Sequence, residues 1–264
     1  MSRLQQARRA YERGDVEQAR QAHDTQRIRT SAVEPHQQEQ GRYLAEMVYG
    51  ASDGIVTTFA VVAGVTGAAL SPGVVLVLGL ANLLGDGFSM AAGAYLSGRS
   101  QQDYERKERE REAWEIDHFP EGEREEIREI YRAKGFEGEA LEYAVRTITS
   151  DRERWIETMM REELHILPER KDPLHAALAT FVAFAIGGAV PLLAFVLAGL
   201  WEGLRARSFE VAVVLTLLTM FGVGSARSLV TYKPWYRAGL EMLLVGGLAA
   251  AIAYAVGYFL GGLA

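Results

Sequence analysis

The chain has 264 residues, 49% of them hydrophobic and 23% charged, with a formal net charge of −6. The charge is partitioned: residues 99–172 hold 22 of the 34 acidic and 15 of the 28 basic side chains, residues 1–50 hold seven and eight, and the other 140 residues carry five of each, far below the quarter charged of an ordinary soluble chain. That excludes a single soluble core, the acidic balance argues against a nucleic-acid partner, and the absence of cysteine removes disulfides, thiolate metal sites and a cysteine nucleophile.

Taken in order, residues 1–40 form a polar extension with a helical pattern over Leu4 to Gln26 and no evident chemistry, too polar for a secretory signal peptide. Gly54 to Leu70 is then free of charge for 17 residues, at the lower limit for crossing a bilayer. Ser71-Pro72-Gly73 supplies a turn, and Val74 to Leu96 gives a second span interrupted only by Asp86. No proline occurs from Val74 to Phe119, so one helix of roughly 69 Å is expected, of which the hydrocarbon core needs only about 30 Å. The rest is a stalk leading into the charged middle. Pro120 ends it, and Glu121 to Lys134, Gly138 to Thr149 and Asp151 to Leu167 read as amphipathic helices sharing Ile127, Ile130, Tyr131, Leu141, Val145, Trp155 and Ile156 as apolar contacts. Ala176 to Leu200, Val211 to Ala226 and Met242 to Ala264 complete five spans. The reading is an all-α membrane protein: an extension (1–40), two transmembrane helices (41–98), a helical metal-binding insert (99–172) and three more transmembrane helices (173–264). Arg227, Lys233 and Arg237, unopposed by acid in their loop, place that loop, the N-terminus and the insert in the cytoplasm.

Asn82, Asp86 and Met90 fall at i, i+4 and i+8 and share a helix face. A carboxylate inside a membrane helix marks an ion or proton path by default, the alternative being a structural pair with a neighbouring span. A thioether such as Met90 suits soft first-row transition metals but also serves as ordinary packing. Asp53 is either the N-cap of the first span or one end of a polar path. In the middle, Glu105, Glu108, Glu112 and Glu115 line one stripe, Glu123 and Glu126 form an i, i+3 pair, and Met159, Met160 and Glu163 group near the end. Alternating Glu and Arg usually makes a solvated face; the same carboxylates with methionines would also suit divalent manganese or ferrous iron. Glu162 and His165 have the Glu-x-x-His spacing of di-iron bundles, in a single copy. Gly257 with Gly261, Gly187-Gly188 and Gly246-Gly247 permit close helix packing. No phosphate loop, catalytic triad or nucleotide fingerprint occurs, which disfavours an enzyme or an ATP-driven pump.

Ser52-Asp53-Gly54-Ile55-Val56-Thr57-Thr58-Phe59 and Ser89-Met90-Ala91-Ala92-Gly93-Ala94-Tyr95-Leu96 resemble the vacuolar iron transporter family, with a likeness extending over about residues 40–264. The resemblance implies a homodimer that moves ferrous iron, and often manganese, cobalt or zinc, out of the cytosol in exchange for protons. The metal would be cargo, with no permanent cofactor, and the host membrane would be the plasma membrane of a prokaryote or the vacuolar membrane of a eukaryote. It implies that Asp53 is the essential carboxylate of the first span and Met90 the pore methionine. Glu112, Glu115, Glu123, Glu126 and Glu163 would be cytoplasmic metal ligands, with Met159 and Met160 as the methionine pair. Where plant members carry a glutamate on the second span this chain has Asn82, and Asp86 one turn along is the candidate replacement. A membrane-anchored metal buffer or sensor without transport is the other reading.

Overall fold

The computed structural model describes residues 3–24, 42–167, 171–228 and 233–261. Expectations for 25–40, and for part of the basic 227–237 loop, fall outside these. The described residues form two compact units, 1–42 and 43–264. In the first, the expected single helical pattern is two helices, α1 (Arg3–Arg13) and α2 (Val16–Ala22). Gly14 separates them at φ +65°, and Asp15 caps α2 by accepting from Gln18 N at 3.0 Å. Among the described residues, Ala10 and Ala22 are buried there.

In the second unit, α3 (Leu44–Gly67) and α4 (Pro72–His118) come first, followed by α5 (Pro120–Ala133), α6 (Gly138–Thr149) and α7 (Arg152–Glu162). Next come α8 (Pro173–Leu200), the short α9 (Glu202–Arg205), α10 (Ser208–Ala226) and α11 (Trp235–Leu260). Among the described residues, α3, α4, α8, α10 and α11 are long and apolar enough to cross a bilayer, the five spans expected. α4 is unbroken for 47 residues, roughly 70 Å. It starts with Pro72 at the position where a missing N–H costs nothing, and the next helix begins with Pro120 in the same way.

α3 is the central helix, packed against α8, α11, α4 and α10. Lipid offers no hydrophobic drive between helices, so backbone proximity and van der Waals contact hold them. Small residues supply it: a Cβ at Gly50 would strike the Thr180 carbonyl and one at Gly54 the Phe184 carbonyl, while one at Gly187 would lie 2.6 Å from Ala51 O. Gly257 and Gly261, at the C-terminal end of α11, meet Gly64 and Ala68 of α3 in the same manner, and Gly246 meets Met220; Gly247 faces open space and is not a packing residue. Ile55, Phe59, Val62, Phe184, Leu192, Phe195 and Met220 fill the core, while Leu84, Phe88, Leu244 and Leu248 stay exposed as lipid-facing residues would.

The C-terminal half of α4 packs against α5 and α7, and α6 against both of those helices. Ile116, Ile127, Leu141, Val145, Ile148, Trp155, Ile156, Met159 and Met160 make a separate core, with Ile130 and Tyr131 at its margin. All seven apolar residues expected to meet there do.

Candidate metal path and carboxylate cluster

Asp53 is the tenth residue of α3, whose N-cap is Tyr43. The N-cap reading is therefore overturned: the helix starts well before the uncharged run, with Glu46 and Asp53 both inside it. The crossing of Gly50 and Gly54 over α8 fixes the rotation of α3 and with it the direction of the half-buried Asp53. On α4, Val75, Gly79, Leu83 and Gly87 form the buried stripe. Asn82, Asp86 and Met90 each precede or follow that stripe and sit about 100° around the helix. All three are half-buried, and Met90 packs against the membrane core. Asp86 lies near enough to Asp53 for the two carboxylates to repel each other. Among the described residues neither has a hydrogen-bond or ion-pair partner on its side chain. The Nδ2 of Asn82 is buried and also unpartnered. Two acids, an amide and a thioether thus stand on adjacent faces of apolar helices, with no cation among the described residues to neutralise them.

The insert assembles five of the expected glutamates from three places: Glu112 and Glu115 on α4, Glu123 and Glu126 on α5, and Glu163 just past α7. Glu112 is 1% exposed and Glu123 6%. Burial pushes the Glu112 carboxyl up to about 7; Arg111 opposes this, and Glu163, Glu115 and Glu126 add to it. Glu123 is likewise pushed up to about 7, first by burial, then by Glu126, Glu112, Glu115 and Glu163. Burial and Glu126 raise Glu163. Glu105 and Glu108 precede Glu112 on α4, and Glu108 joins the cluster through Arg111, which also meets Glu112 and Glu115. Met159 and Met160 are buried in the insert core. Among the described residues no group of three or more His, Asp or Glu side chains is placed to hold a metal ion; the cluster is an electrostatic neighbourhood that would need to tighten around one.

The Glu162/His165 motif does not form. α7 ends at Glu162, His165 has φ +56°, and Glu162 instead pairs with Lys134 at 2.5 Å. Glu46 Oε1 accepts from Lys171 Nζ at 2.5 Å and its other oxygen is buried without a hydrogen bond, beside a cavity of about 540 Å³ that Ser97 and Gln101 also line. Glu46 precedes the uncharged run and Lys171 lies 125 positions away, so no local signal linked them.

This geometry defines a polytopic helical membrane protein with an acidic intramembrane face and an acidic helical insert. The sequence pattern of the VIT family matches residues 44–258. A vacuolar iron transporter of Toxoplasma gondii is 35% identical over 97% of this chain and 88% of its own length. One of Plasmodium falciparum is 32% identical over 97% and 95%, and vacuolar iron transporter 1 of Arabidopsis thaliana is 33% identical over 81% and 84%. The chain belongs to the VIT family, as its motifs implied. The Toxoplasma gondii and Plasmodium falciparum matches take in more of the chain than residues 40–264.

Proposed function

We propose that this chain is a homodimeric secondary transporter that carries ferrous iron, and other divalent transition metals such as manganese, cobalt or zinc, out of the cytosol in exchange for protons. The observation that carries this reading is the pair Asp53 and Asp86, within reach of each other's charge on neighbouring spans with no cation among the described residues between them. A pair of acids in that setting is costly unless a metal ion or protons occupy it. The names of the related proteins add iron as the cargo. Insert glutamates collect the ion at the cytoplasmic side, and Asp53, Asp86 and Met90 pass it across. A carboxylate must be deprotonated to hold a cation, so protons entering from the far side release it. Asn82 offers a carbonyl oxygen to the ion but no charge, which leaves Asp86 as the proton-carrying group of that face.

Proteoliposomes loaded with a metal-quenched dye test this. Fe²⁺ or Mn²⁺ uptake is expected, rising several-fold when the lumen is made acidic. Folded protein that binds metal but moves none would favour the buffer or sensor reading.

The role of Met90 has its own test. Met90→Leu nearly conserves volume, so folding is expected to change little. Transition-metal flux is expected to fall about tenfold with proton leak unaltered, and unchanged flux would make Met90 packing alone.

A further inference from the structure

Arg111 lies among the very carboxylates that would bind metal. Its Nε donates to Glu108 Oε2 at 3.0 Å and its Nη1 to Glu115 Oε2 at 2.6 Å. Its Nη2 comes within 2.8 Å of Glu112 Oε1, without hydrogen-bond alignment. Three of the four glutamates of the α4 stripe therefore converge on one guanidinium. Glu112 is 1% exposed and neither of its oxygens receives a hydrogen bond, and among the described residues Arg111 is the positive charge that acts on the buried carboxylate. The arginine itself keeps 42% of its side-chain surface exposed, which leaves it a route into water. Arg106 on the same helix differs: it pairs with Asp103 and Glu110, off the stripe.

We propose that Arg111 is a tethered counter-ion of the carboxylate cluster, holding Glu108, Glu112 and Glu115 together in the metal-free protein and swinging out as a divalent ion takes their oxygens. This rests on the reading of the cluster as the metal-collecting site. A planar fork suits the task, because one guanidinium can engage several carboxylates at once where an ammonium is a point charge. Arg111 thereby sets a threshold: an incoming ion must displace it or bear its repulsion, and at a separation of a few ångströms that repulsion far exceeds thermal energy.

The test is titration of Mn²⁺ into the purified full-length protein in nanodiscs, with the parent, Arg111→Gln, Arg111→Lys and Arg106→Gln compared. Arg111→Gln is expected to bind about tenfold more tightly and Arg106→Gln within about twofold of the parent. The metal-free Arg111→Gln protein is expected to unfold at lower temperature than the parent, since three glutamates lose their shared partner, and Mn²⁺ should raise its unfolding temperature more than the parent's. If Arg111→Gln does not fold, Arg111→Lys carries the test, with tightening of about threefold. Equal or weaker Mn²⁺ binding by the Arg111 variants, or equal tightening by Arg106→Gln, overturns the inference. A folded parent that binds no Mn²⁺ instead overturns the reading of the cluster beneath it.

Discussion

Asp53→Asn is expected to abolish metal flux and leave the protein folded. Asp53 is ten residues into α3 and its side chain has no hydrogen-bond or ion-pair partner among the described residues, so asparagine removes no stabilising contact. It relieves the repulsion from Asp86. The neighbouring Gly54 contact that seats α3 on α8 is untouched. What is lost is one of two negative charges available to a dication in a poorly hydrated place. At an effective dielectric near 20 that charge is worth several kcal/mol, so flux should fall about a hundredfold or more. Proteoliposome uptake, with size-exclusion profile and Mn²⁺ binding at the insert as controls, reads the result. Flux within about twofold of the parent would remove Asp53 from the path and leave Asp86 as its only acid.

The helices were legible where the physics is local. The long α4 follows from the absence of proline up to Phe119, and the insert core from apolar residues recurring at helical spacing. The start of α3 was not, because an uncharged run defines the part of a helix that lies in hydrocarbon and not the helix itself. Glu46 and Asp53 belong to α3 as well, one neutralised by a lysine from the segment before α8 and the other left facing Asp86. The helix α7 ends before the expected Leu167 for a similar reason. The apolar pattern continues to Ile166, which is buried, but the backbone leaves the helix after Glu162 and reaches that position through a left-handed His165.

The site shows the same division. Spacing alone puts Glu105, Glu108, Glu112 and Glu115 on one stripe, but says nothing of which other helices face it. The end of α4, the start of α5 and the segment just past α7 bring Glu112, Glu123 and Glu163 within electrostatic reach, and only the tertiary fold decides that Glu126 and Glu163 join Glu115 in the group acting on Glu112. Family resemblance selected the same five glutamates because it carries tertiary information that periodicity lacks.

Glu112→Gln should make the metal-free protein more stable at neutral and alkaline pH while weakening its hold on metal. The folded protein raises the Glu112 carboxyl from its ordinary 4.5 to about 7, so folding favours the protonated form. For an acid shifted upward, the penalty is absent below about pH 4.5, grows as pH climbs toward 7 and is complete above that. A rise of that size corresponds to about 3 kcal/mol at pH 8. Glutamine has nearly the same shape and no charge to bury, so the variant should gain on the order of 2–3 kcal/mol over the parent at pH 8 and almost nothing at pH 4.5. Glu123, raised to the same extent by burial and by its acidic neighbours, keeps its own penalty in the variant, so some decline of stability with rising pH should persist. Thermal unfolding followed through the fluorescence of Trp114 and the buried Trp155, both in the insert, checks each point. A saturating divalent ion should reverse the order, because the charge that destabilises the empty cluster is the one that binds. Equal stability of the two proteins at pH 8 would mean that Glu112 is already neutralised by Arg111, and that its burial costs the fold nothing.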